Sequence, residues 1–134
     1  MAFRILDNMG MDPEEIATVV SAIGNHDEGT GVPINPISAS LILADKSDVR
    51  RSRVRNGDVS TFDIHDRVNY SVTSSRIVIS EDKTEIRLDL TIDTQYSSVS
   101  DYFEIFLARM LLCRKAAEAL GLKFLLVING QRLM

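Results

Sequence analysis

The stretch AIGNHDEGTGVP, residues 22–33, places one imidazole and two carboxylates, His26, Asp27 and Glu28, on a glycine-rich turn. Two more carboxylates, Asp45 and Asp48, follow one helical turn apart in ADKSD. Imidazole and carboxylate side chains held on rigid helices are the ligand types of a hydrolytic metal site, which keeps positions open for water and phosphate. A basic run, DVRRSRVRNGD, comes directly afterwards. Within it Arg51 and Arg55 lie nearest the Asp48 face and are the candidates for a bidentate grip on phosphate, whereas Arg50 points away. Each residue also has a plainer reading. His26 and Asp27 sit where a helix ends, and Asp27 can cap local backbone. Asp48 can pair with Arg51, Ser52 or Arg55 one or two turns on, and the arginines can be a solvated helix end whose cations meet the C-terminal dipole.

The elements that must position these groups are helical in the first half. Asp12 reads as an N-cap, Pro13 as the first helical residue, and Glu14 and Glu15 as first-turn acids that favour the helix dipole. Ile16, Val19, Val20 and Ile23 recur at helical spacing, and at about 100° per residue His26 and Asp27 continue their stripe. A second helix is expected from Pro36 to about residue 55, with Ile37, Leu41 and Ala44 as its apolar face and Asp45 and Asp48 on that same face. A carboxylate facing a core is costly unless paired, hydrogen-bonded or metal-bound. A shorter helix is expected over 62–72.

The second half changes period. SSRIVIS and TEIRLDLTID read as two strands, the latter alternating Ile86, Leu88, Leu90 and Ile92 with polar neighbours. A long helix is expected from Ser98 to Leu120, stopped by Gly121, and KFLLVING reads as a closing apolar strand. The expected class is α+β in one domain: N-terminal helices at about 13–26, 36–55 and 62–72, forming a helical half to residue 72, then an antiparallel β-β-α-β layer over 73–134. The 98–120 helix is apolar nearly all round, so it is either sandwiched within the chain or packs on a second subunit.

With 134 residues, 45% apolar and 25% charged, the chain fits one globular domain with a real core. A net charge of −4, with no exposed aromatic platform, argues against nucleic acid as a partner. A single cysteine, Cys113, excludes an internal disulfide framework and favours a reducing compartment, so a cytoplasmic location is expected. Neither a signal peptide nor a membrane span is legible, and no P-loop or dinucleotide fingerprint exists. Cys113 lies amid MLLCRK on an apolar helix, where cysteine is usually inert, and the serines at 71, 74, 75, 97, 98 and 100 fall at element ends as caps.

AIGNHDEGTGVPINPISASLILADKSD resembles the later half of an HD-superfamily metal-dependent phosphohydrolase domain. There a helix ends in a histidine-rich turn, a glycine- and proline-containing loop follows, and a helix with an LADxxD-like motif supplies the last metal-binding aspartate. The preceding ILDNMGMDPEEIATVVSAI is similar to the helix leading into that histidine, so the likeness covers roughly residues 1–55. It implies His26 and Asp45 as metal ligands. It also places Asp27, Glu28 and Asp48 at acidic or polar positions beside them, with Asp27 and Asp48 as the expected catalytic carboxylates. The implied cofactor is a divalent ion (Mn, Zn, Fe or Mg), and the substrate a phosphate-containing small molecule of nucleotide type. The family's upstream histidine and His-Asp pair have no counterpart before His26. The pair His65–Asp66 comes after Asp45 in the chain, so it either replaces the missing ligands or simply pairs with Arg67, Arg53 or solvent. Two expectations result. The chain is an HD-related phosphohydrolase segment completed by an upstream HD-half polypeptide or a second subunit, or it is a non-catalytic module that homodimerises through the 98–120 helix.

Overall fold

The computed structural model describes residues 1–134 as five helices and a four-stranded sheet. The helices are α1 (Ala2–Asn8), α2 (Pro13–Gly24), α3 (Pro36–Lys46), α4 (Ile64–Ser71) and α5 (Val99–Ala119). The strands are β1 (Val72–Ile79), β2 (Glu85–Ile92), β3 (Lys123–Ile128) and β4 (Gln131–Arg132), in that spatial order. The α+β class expected from the sequence is what the chain adopts. Its sheet, however, is mixed: β1 and β2 pair antiparallel, β2 and β3 pair parallel, and β3 and β4 pair antiparallel. The layer is therefore not the antiparallel one expected from the sequence: the long helix foreseen over 98–120, α5, has 21 residues and is long enough to carry the chain back across the sheet for a parallel pairing.

Local signals explain most boundaries. Asp12 accepts from Glu14 N ahead of Pro13, and Asn35 forms a capping box with Ser38 ahead of Pro36. Asp63 caps α4, and Ser98 with Asp101 makes the capping box of α5. The second helix stops at Lys46, short of residue 55, and the arginine run continues as extended chain with a single 3-10 turn over Arg51–Arg53. Helix α1 and strand β4 are additions to the sequence reading. The latter is turned by Asn129 and Gly130, both at positive φ (50° and 79°), the conformation an Asn-Gly hairpin favours.

The core lies between the sheet and α3, α4 and α5. Strand β2 delivers Ile86, Leu88, Leu90 and Ile92 to it, alternating as expected, and β3 adds Phe124, Leu126 and Ile128. Tyr102, Phe106, Met110, Cys113, Ala116 and Ala117 of α5 meet them. Helix α5 is sandwiched: α3 and α4 take one side and β3 the other, and Leu107 is its one large apolar side chain left exposed. That arrangement explains its all-round apolarity within a single chain. No buried side-chain nitrogen or oxygen lacks a partner.

Candidate functional site

Three elements converge on the residues singled out above. The loop after α2 carries His26, Asp27 and Glu28, the last turn of α3 carries Asp45 and Lys46, and Arg109 reaches in from the middle of α5. Main-chain bonds hold the loop in shape, from Val32 N to Asn25 O (3.0 Å) and from Gly31 N to Asp27 O (2.6 Å). Gly31 is required here by close approach. A Cβ on it would collide with the Asp27 carbonyl and press on Leu112 of α5 at 3.0 Å.

Glu28 is the hub of the cluster. Arg109 Nε donates to its carboxylate at 2.6 Å while stacking over the Phe106 ring at 4.5 Å, and Lys46 Nζ lies 4.0 Å from the same oxygen. Lys46 Nζ also donates to Asp45 at 2.7 Å. Lys46 is only 4% exposed, so its ammonium is taken from water and given these two carboxylates in exchange. Partial burial on its own would raise the Asp45 carboxyl. The Lys46 hydrogen bond and charge, with the charges of His26 and Arg109, more than offset that and hold it below its ordinary value. Beneath the cluster, burial pushes the Cys113 thiol up to about 12, against the pull of Arg109 and Lys46. That thiol is packing material, not a nucleophile.

Helix α3 is rotated relative to the sequence reading. Its buried stripe is Ala39, Ile42, Leu43 and Lys46, while Ile37 is 51% exposed and Ala44 and Asp45 face outward. The helix has apolar residues on two sides, and α5 covers the one ending in Lys46. Lys46 and Arg109 were therefore missed among the candidate residues. Helical spacing from Ala39 through Ile42 and Leu43 would have found Lys46, but nothing local marks Arg109.

The remaining candidates are placed as follows. His26 is half-buried, and its Nδ1 bonds the Ile23 carbonyl at 2.6 Å, so Nδ1 carries the proton in the neutral ring. Asp27 is exposed. Asp48 pairs with Arg50 (2.8 Å) and Arg53 (3.3 Å), not with Arg51, Ser52 or Arg55. Arg51 is committed elsewhere. It donates to the Tyr70 carbonyl at 2.8 Å, reaches Asp93 at 3.4 Å, and its guanidinium lies 4.3 Å from the Tyr70 ring centroid and 5.3 Å from that of Tyr96. Arg55 instead lines an open surface cavity of about 320 Å³ with Ser52 and Arg53. His65 is exposed on the first turn of α4, where Asp63 caps Asp66 N, and no side-chain hydrogen bond or ion pair joins either His65 or Asp66 to the cluster.

Nowhere do three or more His, Cys, Asp or Glu side chains converge as a metal would need. The residues of this chain therefore do not by themselves fit the divalent ion that the HD resemblance implies, and Lys46 already holds Asp45. No protein-family model, curated protein or solved structure matches the chain.

Proposed function

We propose that this chain contributes part of an HD-type phosphohydrolase centre, acting on a phosphate ester, with the remaining metal ligands supplied from outside the residues described here. The observation that carries this reading is the docking of the His26 loop on the end of α3: Glu28 of that loop lies 4.0 Å from Lys46 Nζ, which donates to Asp45 at 2.7 Å. His26 and Asp45 thus arise on different elements that pack together, and the charge of the His26 ring adds to those of Lys46 and Arg109 in holding the Asp45 carboxyl below its ordinary value. The Nδ1 bond of His26 to a main-chain carbonyl also supports it. Metal-binding histidines commonly donate one ring N–H in this way and keep the other nitrogen free to ligate. Asp27 and Asp48 are the acidic groups of the reading, Asp27 next to His26 in the chain and exposed, and Asp48 paired with Arg50 and Arg53. Arg55, with Ser52 and Arg53, is the better-placed phosphate grip, because Arg51 is held by Tyr70, Tyr96 and Asp93.

The second reading is a non-catalytic module descended from such a domain. Lys46 favours it, since an ammonium between Asp45 and Glu28 already satisfies the carboxylates. The two readings separate on metal content and turnover. Purified chain is assayed for metal atoms per chain, and for hydrolysis of a nitrophenyl phosphate ester with manganese, zinc or iron. Near-stoichiometric metal that is lost in His26→Ala and in Asp45→Ala supports the phosphohydrolase half. A metal-free chain that stays inert with each ion removes catalysis by this chain alone and leaves the module.

A further inference from the structure

Apolar surface is unevenly distributed over the molecule. Nine of the thirteen large apolar side chains left exposed lie within residues 1–37, so most of the unburied apolar surface belongs to the first two helices, the loop before α3 and the start of α3. Helix α1 is the extreme case. It has seven residues, buries none of them, and packs chiefly on α2, while Phe3 is 57% exposed. A helix that short is marginal without tertiary cover. Beside it, a cavity of about 400 Å³ opens between α2 and the start of α3, lined by Met11, Glu14, Glu15, Thr18, Val19 and Ile37. No α1 residue lines it, so the chain leaves its own cavity unfilled.

We infer that α1 of a second copy of this chain docks in that cavity, and reciprocally, to form a two-fold dimer. The two halves of the contact are complementary in both chemistry and charge. The cavity has an apolar floor of Met11, Val19 and Ile37 and an acidic rim of Glu14 and Glu15. Helix α1 offers Phe3 for the floor and Arg4 for the rim. Knob and hole lie on one chain, and Glu14 and Glu15 have no ion-pair partner within it. A closed two-fold pairing therefore satisfies both copies at once. An aromatic anchor with an arginine beside it, seated in a pocket, is the usual composition of an energetic centre in an interface. This contact differs from one through α5, whose large apolar side chains, Leu107 apart, are covered within the chain.

Sedimentation velocity over a concentration series tests the inference. The full chain is expected to run as a dimer. Phe3→Asp should weaken association by at least about tenfold, and Arg4→Glu and the double change Glu14→Arg/Glu15→Arg should each do so as well. Combining Arg4→Glu with Glu14→Arg/Glu15→Arg should restore it. Circular dichroism should show each variant folded, because neither Phe3 nor the charged residues contribute to the core. A chain that stays monomeric to its solubility limit overturns the inference and leaves the face to a different polypeptide. A dimer that survives Phe3→Asp, or one that the combined charge swap fails to restore, overturns it equally.

Discussion

Lys46 offers the sharpest test of how the cluster is held. Its side chain is 5% exposed, yet its ammonium partners are open to water, Asp45 at 43% and Glu28 at 34%. The buried stem and the charge therefore contribute differently. Lys46→Ala deletes three buried methylenes, worth about 0.8 kcal/mol each, for a loss of roughly 2–2.5 kcal/mol before any charge effect. Lys46→Met keeps a stem of similar length and removes only the ammonium. The half-exposed carboxylates can rehydrate, so its expected cost is within about 1 kcal/mol. Urea denaturation reads both, with the alanine variant shifted down by about 1–2 M and the methionine variant by well under half of that. The pH dependence gives a second reading. A carboxyl held below its ordinary 3.8 adds stability that is complete above that value and lost as pH falls through the depressed one. Lys46→Met removes the foremost group lowering the Asp45 carboxyl, so its stability should fall less steeply than the parent's on acidification below about pH 4. A methionine variant as unstable as the alanine one would refute this reasoning, because the ammonium and not the stem would then hold the cluster together.

Arg51→Ala should cost about 2 kcal/mol by thermal or urea melts, through loss of the Tyr70 carbonyl bond and the tyrosine stacking. Arg55→Ala should fall within about 0.5 kcal/mol of the parent, and equal losses for the two would contradict the separate roles given to them. Cys113 should resist a disulfide reagent such as dithionitrobenzoate at pH values near 8.5, an ordinary thiol's range, and react fully once the chain is unfolded. Rapid modification of the folded chain would place the thiol outside the core. Gly31→Ala should cost about 1–3 kcal/mol and perturb the His26 imidazole resonances, because the added Cβ meets the Asp27 carbonyl and Leu112. Unchanged stability and spectra would show that the loop does not rest on α5.

Residues near one another in sequence determined a good deal of this protein. Asp12 with Pro13, Asn35 with Pro36, and Ser98 with Asp101 set helix starts where the sequence put them, since a cap and its backbone partner lie within three residues. The alternation of Ile86, Leu88, Leu90 and Ile92 fixed which face of β2 is buried, because a strand's period of two allows only two choices. The loop carrying His26 and the helix carrying Asp45 were likewise legible, as segments. What lay beyond local reach was the choice between faces. Helix α3 is apolar along Ile37, Leu41 and Ala44 and also along Ala39, Ile42 and Leu43, and helical periodicity ranks neither. Packing against α5 selected the second, which turned Lys46 inward, left Ile37 outside and brought Arg109 to Glu28 across 81 residues of chain. The parallel pairing of β2 with β3 was decided in the same way, by where α5 returns the chain and not by any residue within either strand. Caps and strand alternation are short-range physics and can be read from the sequence. Which of two apolar faces is covered, and which charge meets which, depends on long-range packing that only the folded chain resolves.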